Sequence, residues 1–371
     1  MHHAMGKKGT HIDRVFALIL AVLVAGGSLV FASAAFGLLA RGNSNIPSVV
    51  FSHVVMGIGG GLILLLIAAS LDYKLLRKIA PWFFGLAVIV TALVFVPHVG
   101  IAHGGGRRWI SILHVTLQPS EILKLATLIL AAAYCAMIKD KVQTIRYGLG
   151  GYLAIIAVPT VLLVAQPDLG TLGVIVLSTL ALFWVSGLKL QHVVSLMLAG
   201  VLFMGVLFFL RPYVHDRVMT FIHPAAEGQS SGYQIRQSLI AIGSGGLLGR
   251  GLGQGIQKFT YLPEPMGDSI FAVAGEEFGF AGSALIVVLF TACGLRGLRI
   301  ASLSRDTFGK ALAAGISAYL LLEAFINIAS MLSLAPLTGI PLTFVSQGGS
   351  AMLISLTSAG VLLSISRVRS A

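Results

Sequence analysis

The chain has 371 residues, 57% of them apolar and 10% charged, with a mean hydropathy of +0.95, whereas an ordinary soluble domain carries about a quarter charged residues. That balance excludes a soluble globular domain and places the chain in a bilayer. The net charge of +12 is scattered over short segments between apolar runs and forms no continuous basic stripe, so no nucleic-acid partner is expected.

The start, MHHAMGKKGTH, reads as an expression scar rather than a metal site, and no cleavable signal is evident, so the first apolar run is expected to stay as a helix. Runs long enough to cross about 30 Å of hydrocarbon recur at residues 14–39, 48–70, 80–97, 119–138, 149–166, 169–186, 190–210, 269–293, 310–332 and 350–366. The expected fold is an all-α integral membrane protein of about ten transmembrane helices, since only helices or closed barrels satisfy their backbone in lipid. It forms one polytopic domain over 14–366, with tails at 1–13 and 367–371.

An even number of helices puts both termini on one side. Assigning that side to the cytoplasm gathers most of the 25 Lys and Arg inside, among them Lys74, Arg77, Lys139, Arg146, Lys189, Arg296 and Arg305, as the positive-inside rule requires. Two segments then lie outside and are large enough to hold a site: 98–118 and 211–268. Cys135 and Cys293 stand far apart inside apolar segments, where they read as packing residues.

In the first outer segment, HGGGRRWI places Arg107 and Arg108 beside Trp109, with glycines that expose backbone N–H groups. The next helix opens with QPSEILK, and Gln118, Pro119, Ser120, Glu121 and Lys124 put a carboxylate and an ammonium on one face three residues apart. Arg107, Arg108 and Lys124 could cradle an anionic head group, since guanidinium forks match phosphate oxygens. The plainer alternative is a snorkelling Lys124 paired with Glu121. In QPDLGT, Asp168 reads first as a turn or cap residue, and with Gln118, Ser120 and Glu264 it is also a candidate contact to substrate.

The long second segment contains GYQIRQSLIAIGSGGLLGRGLG, an amphipathic helix through Tyr233, Leu239 and Ile240, followed by glycines, expected on the outer leaflet surface. Its GxGxxG-like spacing is weak evidence for nucleotide, because no strand precedes it. YLPEPMGDSIFAVAGEEFGFAG then supplies Glu264 in a stiff turn between prolines, Asp268 at the start of an apolar run, and Glu276 and Glu277 within it. Asp268 reads either as a helix N-cap or as a general base on a sugar hydroxyl at the membrane surface. Glu276 and Glu277 point about 100° apart on a helix, so at least one needs an internal partner. Glu323 and Asn327, four apart, share a face that could line a polar cavity or bond across to another helix. The stretch LAPLTGIPLTFVSQGGSAM reads as an irregular connection re-entering the membrane surface.

RRWI, QPSEILKL, QPDLGT, the GYQIRQSLIAIGSGG–QKFTYLPE–DSIFAVAGEEFGFAG series and FINI with TGIPLTFVSQGGS, in this order, resemble the SEDS (shape, elongation, division, sporulation) family of peptidoglycan glycosyltransferases, and its division-type members more than its elongation-type ones. The resemblance implies polymerisation of lipid II, an undecaprenyl-diphosphate-linked disaccharide pentapeptide, on the outer face of the bacterial cytoplasmic membrane. It carries the family's essential aspartate onto Asp268, as base toward the GlcNAc 4-hydroxyl. It also puts Arg107, Arg108 and Lys124 against the diphosphate, with Glu121 orienting Lys124. A class B penicillin-binding transpeptidase and other division proteins are the implied partners. No cofactor is required, although a Mg²⁺ or Mn²⁺ ion could be shared by Asp268 and the diphosphate. The chain departs from the family pattern at Glu323, where relatives often carry Gln, and in PMGDSIF, where many carry AHTDFIF. The rival readings are a lipid II flippase or other polyprenyl-linked sugar transporter, and a non-catalytic division scaffold.

Overall fold

The computed structural model describes residues 12–40, 46–103, 106–112, 115–223 and 231–367. The expectations for the two-histidine start, for Gly104 and Gly105 and for the 368–371 tail fall outside these residues. In chain order the long helices are α1 (Arg14–Ala40), α2 (Ser48–Ser70), α3 (Lys74–Phe95), α4 (Pro119–Gln143), α5 (Ile145–Ala165), α6 (Leu169–Val185) and α7 (Leu190–Leu210). Three shorter ones follow, α8 (Pro212–Ile222), α9 (Ser231–Ser244) and α10 (Gln257–Thr260), before α11 (Ile270–Ser302), α12 (Thr307–Met331) and α13 (Gly349–Arg367). Among the described residues nine of these are apolar and long enough to span a membrane, and α6, with 17 residues, is a shorter tenth.

The spans start and stop near the apolar runs because hydropathy decides them, but two limits move. α3 begins at Lys74 rather than 80, carrying Lys74, Arg77 and Lys78 in its first turns, where long basic side chains can reach the interface. α11 runs to Ser302 and is broken at Gly279, whose φ of 65° and ψ of −161° are not helical. The centre of the bundle is α4, α12 and α13, whose faces are largely buried, whereas α7 buries only Leu207 and presents the rest of its surface outward.

The 98–118 segment forms a small antiparallel sheet in the order β1 (Gly100–His103), β2 (Gly106–Ile112) and β3 (Val115–Leu117). Alternation along β2 buries Ile110 and leaves Arg107 exposed. The connection after α12 has no regular structure from 335 to 342 yet buries Leu337, Ile340, Leu342, Phe344 and Val345. It is tied down where Ser346 Oγ donates to the Gly267 carbonyl at 2.8 Å and Gln347 N to the Met266 carbonyl at 2.6 Å.

The glycine-rich stretch after α9 has a structural task. The break in α11 leaves backbone groups that lipid cannot satisfy, and this loop supplies them. Phe280 N and Ala281 N donate to the carbonyls of Gly246 and Leu247, while Arg250 N and Gly251 N donate to those of Glu276 and Glu277. The approach is too close for side chains: a Cβ on Gly249 would sit 2.1 Å from the Glu277 carbonyl oxygen, and Gly249 has φ of 81°. α9 therefore packs on α11, burying Ile235, Ser238 and Ala241, instead of lying free on the leaflet surface, although Leu239 and Ile240 do stay exposed.

Gly249→Ala combines a backbone clash with a left-handed φ that alone costs about 1–2 kcal/mol. It is expected to lower the melting temperature of the detergent-solubilised protein by several degrees. Gly243→Ala, a helical position whose Cβ would meet nothing within 4 Å, is expected to leave it unchanged or raise it. Equal melting temperatures for the two variants would refute the role given to the loop.

Candidate functional site

Asp268 stands two residues before Ile270, the first residue of α11. The N-cap position belongs to Ser269, which makes no side-chain cap bond. The Asp268 backbone is held: Asn327 Nδ2 donates to its carbonyl at 2.9 Å and to that of Ile340 at 2.8 Å, joining α11, α12 and the irregular connection. The carboxylate is half-buried and turned toward Gly339. A carbon built on Gly339 would stand 3.5 Å from Asp268 Oδ2 and 3.8 Å from Arg217 Nη2. Gly339, exposed and with φ of 72°, thus faces an acid and a guanidinium together. Two buried oxygens nearby, Asn327 Oδ1 and Thr338 Oγ1, have no hydrogen-bond partner.

Arg217 comes from α8, which Pro212 opens at its first turn. Its guanidinium lies 4.4 Å from the centroid of the Tyr213 ring. Arg108 reaches the same tyrosine from β2: its Nη2 donates to the Tyr213 hydroxyl at 3.0 Å and to the Pro167 carbonyl, and its Nε to the Gln166 carbonyl at 3.3 Å. Burial lowers the pKa of Arg217, and the neighbouring Arg108 charge adds to this, while Tyr213, Asp268 and Asp168 oppose it. Two cations sharing one aromatic residue beside a carboxylate make an electropositive recess. Arg107 points to the other, exposed side of β2 and takes no part in this cluster.

Lys124 is not where the cradle required it. It is fully buried, its ammonium 2.9 Å from Glu121 Oε2 and bonded to Glu323 Oε1, with the Tyr319 ring centroid at 4.6 Å. Thr343 Oγ1 donates to the other Glu323 oxygen at 3.0 Å. The reason is energetic: an unpaired ammonium inside the bundle is far costlier than one satisfied by carboxylates from its own helix and from α12. The pairing with Glu121 was readable from their spacing, whereas Glu323 is on another helix. Glu121 and Glu323 are correspondingly 1% and 2% exposed.

Gln118, Ser120 and Asp168 are likewise committed to one another. Asp168 caps α6 by accepting from Thr171 N at 3.4 Å, and its second oxygen accepts from Gln118 Nε2 at 3.2 Å and Ser120 Oγ at 3.3 Å. All three were candidates for touching substrate; the structure uses them to fasten the start of α4 to the start of α6. Glu264 is exposed in the turn before Asp268, at φ of 44°, and its carbonyl accepts from Gly267 N and Ser269 N. Glu276 and Glu277, which could have lined a polar cavity, are buried and bonded to the outer loop. Glu276 receives the N–H groups of Ile256 and Gln257, and Glu277 pairs with the buried Lys258.

Sequence reasoning missed Arg217 and Lys258, which it had counted only as outer-loop charges. The one available signal for Arg217 was the Pro at the start of a short helix in a long loop. Among the described residues no group of three or more His, Cys, Asp or Glu gathers as metal ligands.

Comparison with known proteins agrees with this architecture. Residues 13–371 match the family of FtsW, RodA and SpoVE, described as a cell cycle protein. The chain is 38% identical over 309 residues to stage V sporulation protein E of Bacillus subtilis, covering 83% of this chain and 84% of that protein. It is 38% identical over 307 residues to a probable peptidoglycan glycosyltransferase FtsW of Geobacter sp. (strain M18), covering 82% and 83%. It is 33% identical over 361 residues to the peptidoglycan glycosyltransferase MrdB of Escherichia coli K12, covering 96% and 93%. A chain from a peptidoglycan synthase complex that coordinates polymerization and crosslinking superposes with a TM-score of 0.78 at 23% identity, covering 96% of this chain and 98% of that one. The Thermus thermophilus rod shape determining protein RodA does so with a TM-score of 0.70 at 24% identity, covering 96% and 97%. The ten-helix bundle, the broken α11 with Asp268 at its mouth, and a family match over residues 13–371 converge on one conclusion: the chain belongs to the SEDS family.

Proposed function

We propose that this chain is a peptidoglycan glycosyltransferase that polymerises lipid II into glycan strands during cell division, at the outer face of the bacterial cytoplasmic membrane and with both termini inside. The observation that carries the reading is the shared approach of Asp268 and Arg217 to the bare backbone of Gly339, with Arg108 joined through Tyr213. The charge distribution supports the orientation, since the helix ends opposite Asp268 hold Lys74, Lys139, Lys141, Arg299 and Lys310.

The chemistry follows from those groups. The Asp268 carboxylate accepts the proton of the acceptor's GlcNAc 4-hydroxyl as that oxygen attacks the donor MurNAc anomeric carbon. The new C–O bond forms as the bond to diphosphate breaks on the opposite face, so the anomeric centre inverts. Arg217 and Arg108 meet the diphosphate and neutralise the charge that grows on it, the kind of preorganised electrostatic contribution that often dominates a barrier. A diphosphate leaves without strong acid assistance, so a single base with cations suffices. A class B penicillin-binding transpeptidase is the proposed partner, supported by the likeness to a chain of a complex that couples polymerization to crosslinking. The division role is supported by the relatives named FtsW.

Lipid II polymerisation in liposomes, with and without the transpeptidase, tests the reading. Asp268→Ala is expected to abolish polymer while lipid II still binds, and Arg217→Ala to lower kcat/KM by at least tenfold, about 1.4 kcal/mol of transition-state stabilisation. Polymer formation that survives Asp268→Ala removes the base; lipid movement across the membrane without any polymer favours the transporter.

Lys124 separates structure from substrate contact. Lys124→Met leaves two buried carboxylates uncompensated, expected to cost about 3–5 kcal/mol of stability. Adding Glu121→Gln and Glu323→Gln is expected to recover most of it in thermal unfolding. A Lys124→Met protein as stable as wild type yet unable to bind lipid II would return Lys124 to the substrate.

A further inference from the structure

Lys258 and Glu277 form a fully buried ion pair, 19 residues apart in the chain. Ser33 of α1 completes it: Lys258 Nζ donates to Ser33 Oγ at 2.6 Å, and Ser33 Oγ to Glu277 Oε1 at 2.6 Å. Beside it, the Glu276 carboxylate accepts from Ile256 N at 2.8 Å and from Gln257 N at 3.2 Å. The segment is pressed onto both acids, because a Cβ on Gly255 would come within 2.9 Å of Glu276 Oε2 and 3.2 Å of Glu277 Oε1. The lysine stem lies against α1, where a Cβ on Gly37 would meet Lys258 Cγ at 2.9 Å.

These bonds close a ring of chain from Lys258 to Glu277, and Asp268 lies near its middle. One arm of the ring is α10 and the turn through Leu262, Met266 and Gly267, all buried; the other is the first part of α11, buried from Ile270 to Glu277. A cross-link between two points restricts every residue between them. A buried ion pair is seldom a better stabiliser than apolar side chains of the same size, and its best-attested use is to specify one arrangement. Both carboxylates also stand at the end of the first part of α11, beside its carbonyls, where negative charge is unfavourable unless paired.

We infer that Lys258, Glu277 and Ser33 are positioning residues that hold Asp268 against Arg217 and Gly339, fastening the outer loop to α1 so that the acid cannot drift from the recess. The inference rests on the proposed role of Asp268 as base. These three residues touch no substrate; they act through the backbone on either side of Asp268.

The test compares wild-type full-length protein with Lys258→Met/Glu277→Gln, which removes both charges at nearly constant volume and leaves no uncompensated ion. Three quantities are measured in detergent: the melting temperature, amide hydrogen exchange across 259–270, and the kcat and KM for lipid II polymerisation. The expected result is a near-wild-type melting temperature, faster exchange across 262–268, and a fall in kcat on the order of tenfold with KM within about twofold, as when a reacting group is misplaced. Unchanged exchange overturns the ring as a constraint, and faster exchange with an unchanged kcat overturns its positioning role. Polymerisation that persists in Asp268→Ala overturns the reading of Asp268 instead, and the hydrogen-exchange result then decides the constraint alone.

Discussion

Hydrocarbon offers no hydrogen bonds, so every charge and every interrupted backbone group inside this bundle has to find its partner within the protein. Three features follow from that constraint. Lys124 is enclosed by Glu121 and Glu323. The break at Gly279 is repaired by the glycine loop, whose carbonyls and N–H groups pair with those left open on both sides of it. Lys258 and Glu277 are buried only because each has the other and Ser33. Groups consumed in this way have little capacity left for a ligand. What remains is the half-buried set at one end of the bundle: Asp268, Arg217 and Arg108.

That set brings two guanidiniums and one carboxylate together. Arg108 and Arg217 are drawn to the same Tyr213, which keeps two positive charges close. Burial disfavours the charged form of Arg217 and the Arg108 charge does so further, against the pull of Tyr213, Asp268 and Asp168. An anion entering the recess relieves both penalties at once, and a diphosphate offers oxygens to two guanidiniums.

The legible part of the molecule was the part governed by local composition. Hydropathy located the nine described helices long enough to span and the shorter α6, because lipid selects long apolar runs whatever they pack against. Asp268 stood out as an acid near the start of such a run, and the N-cap position falls one residue later, on Ser269. For Lys124 the pairing with Glu121 was legible from their spacing, but helix rise gives depth and not neighbours, and its second carboxylate, Glu323, arrives from α12. Arg217 and Lys258 were illegible for the same reason, since each finds its partners across distant stretches of chain. The small sheet escaped notice because its strands are short and interrupted by glycines, although WISI and VTL have the β-branched character of strands.

The distribution of saturated and unsaturated charge also bears on whether the family's chemistry or mere transport better suits this chain. A transporter of polyprenyl-linked sugars needs polar groups along its interior that can exchange their partners for the passing head group. Here the interior ions at Lys124 are locked in a pair of carboxylates with an aromatic face over the ammonium, and no replacement anion could enter without leaving one of those acids unpaired. Asp268, Arg217 and Arg108 cluster at a single end. On the proposed reading that asymmetry suits a surface reaction on a membrane-tethered substrate, whose lipid tail would stay in the bilayer, with the diphosphate at its edge and bond making beside Asp268.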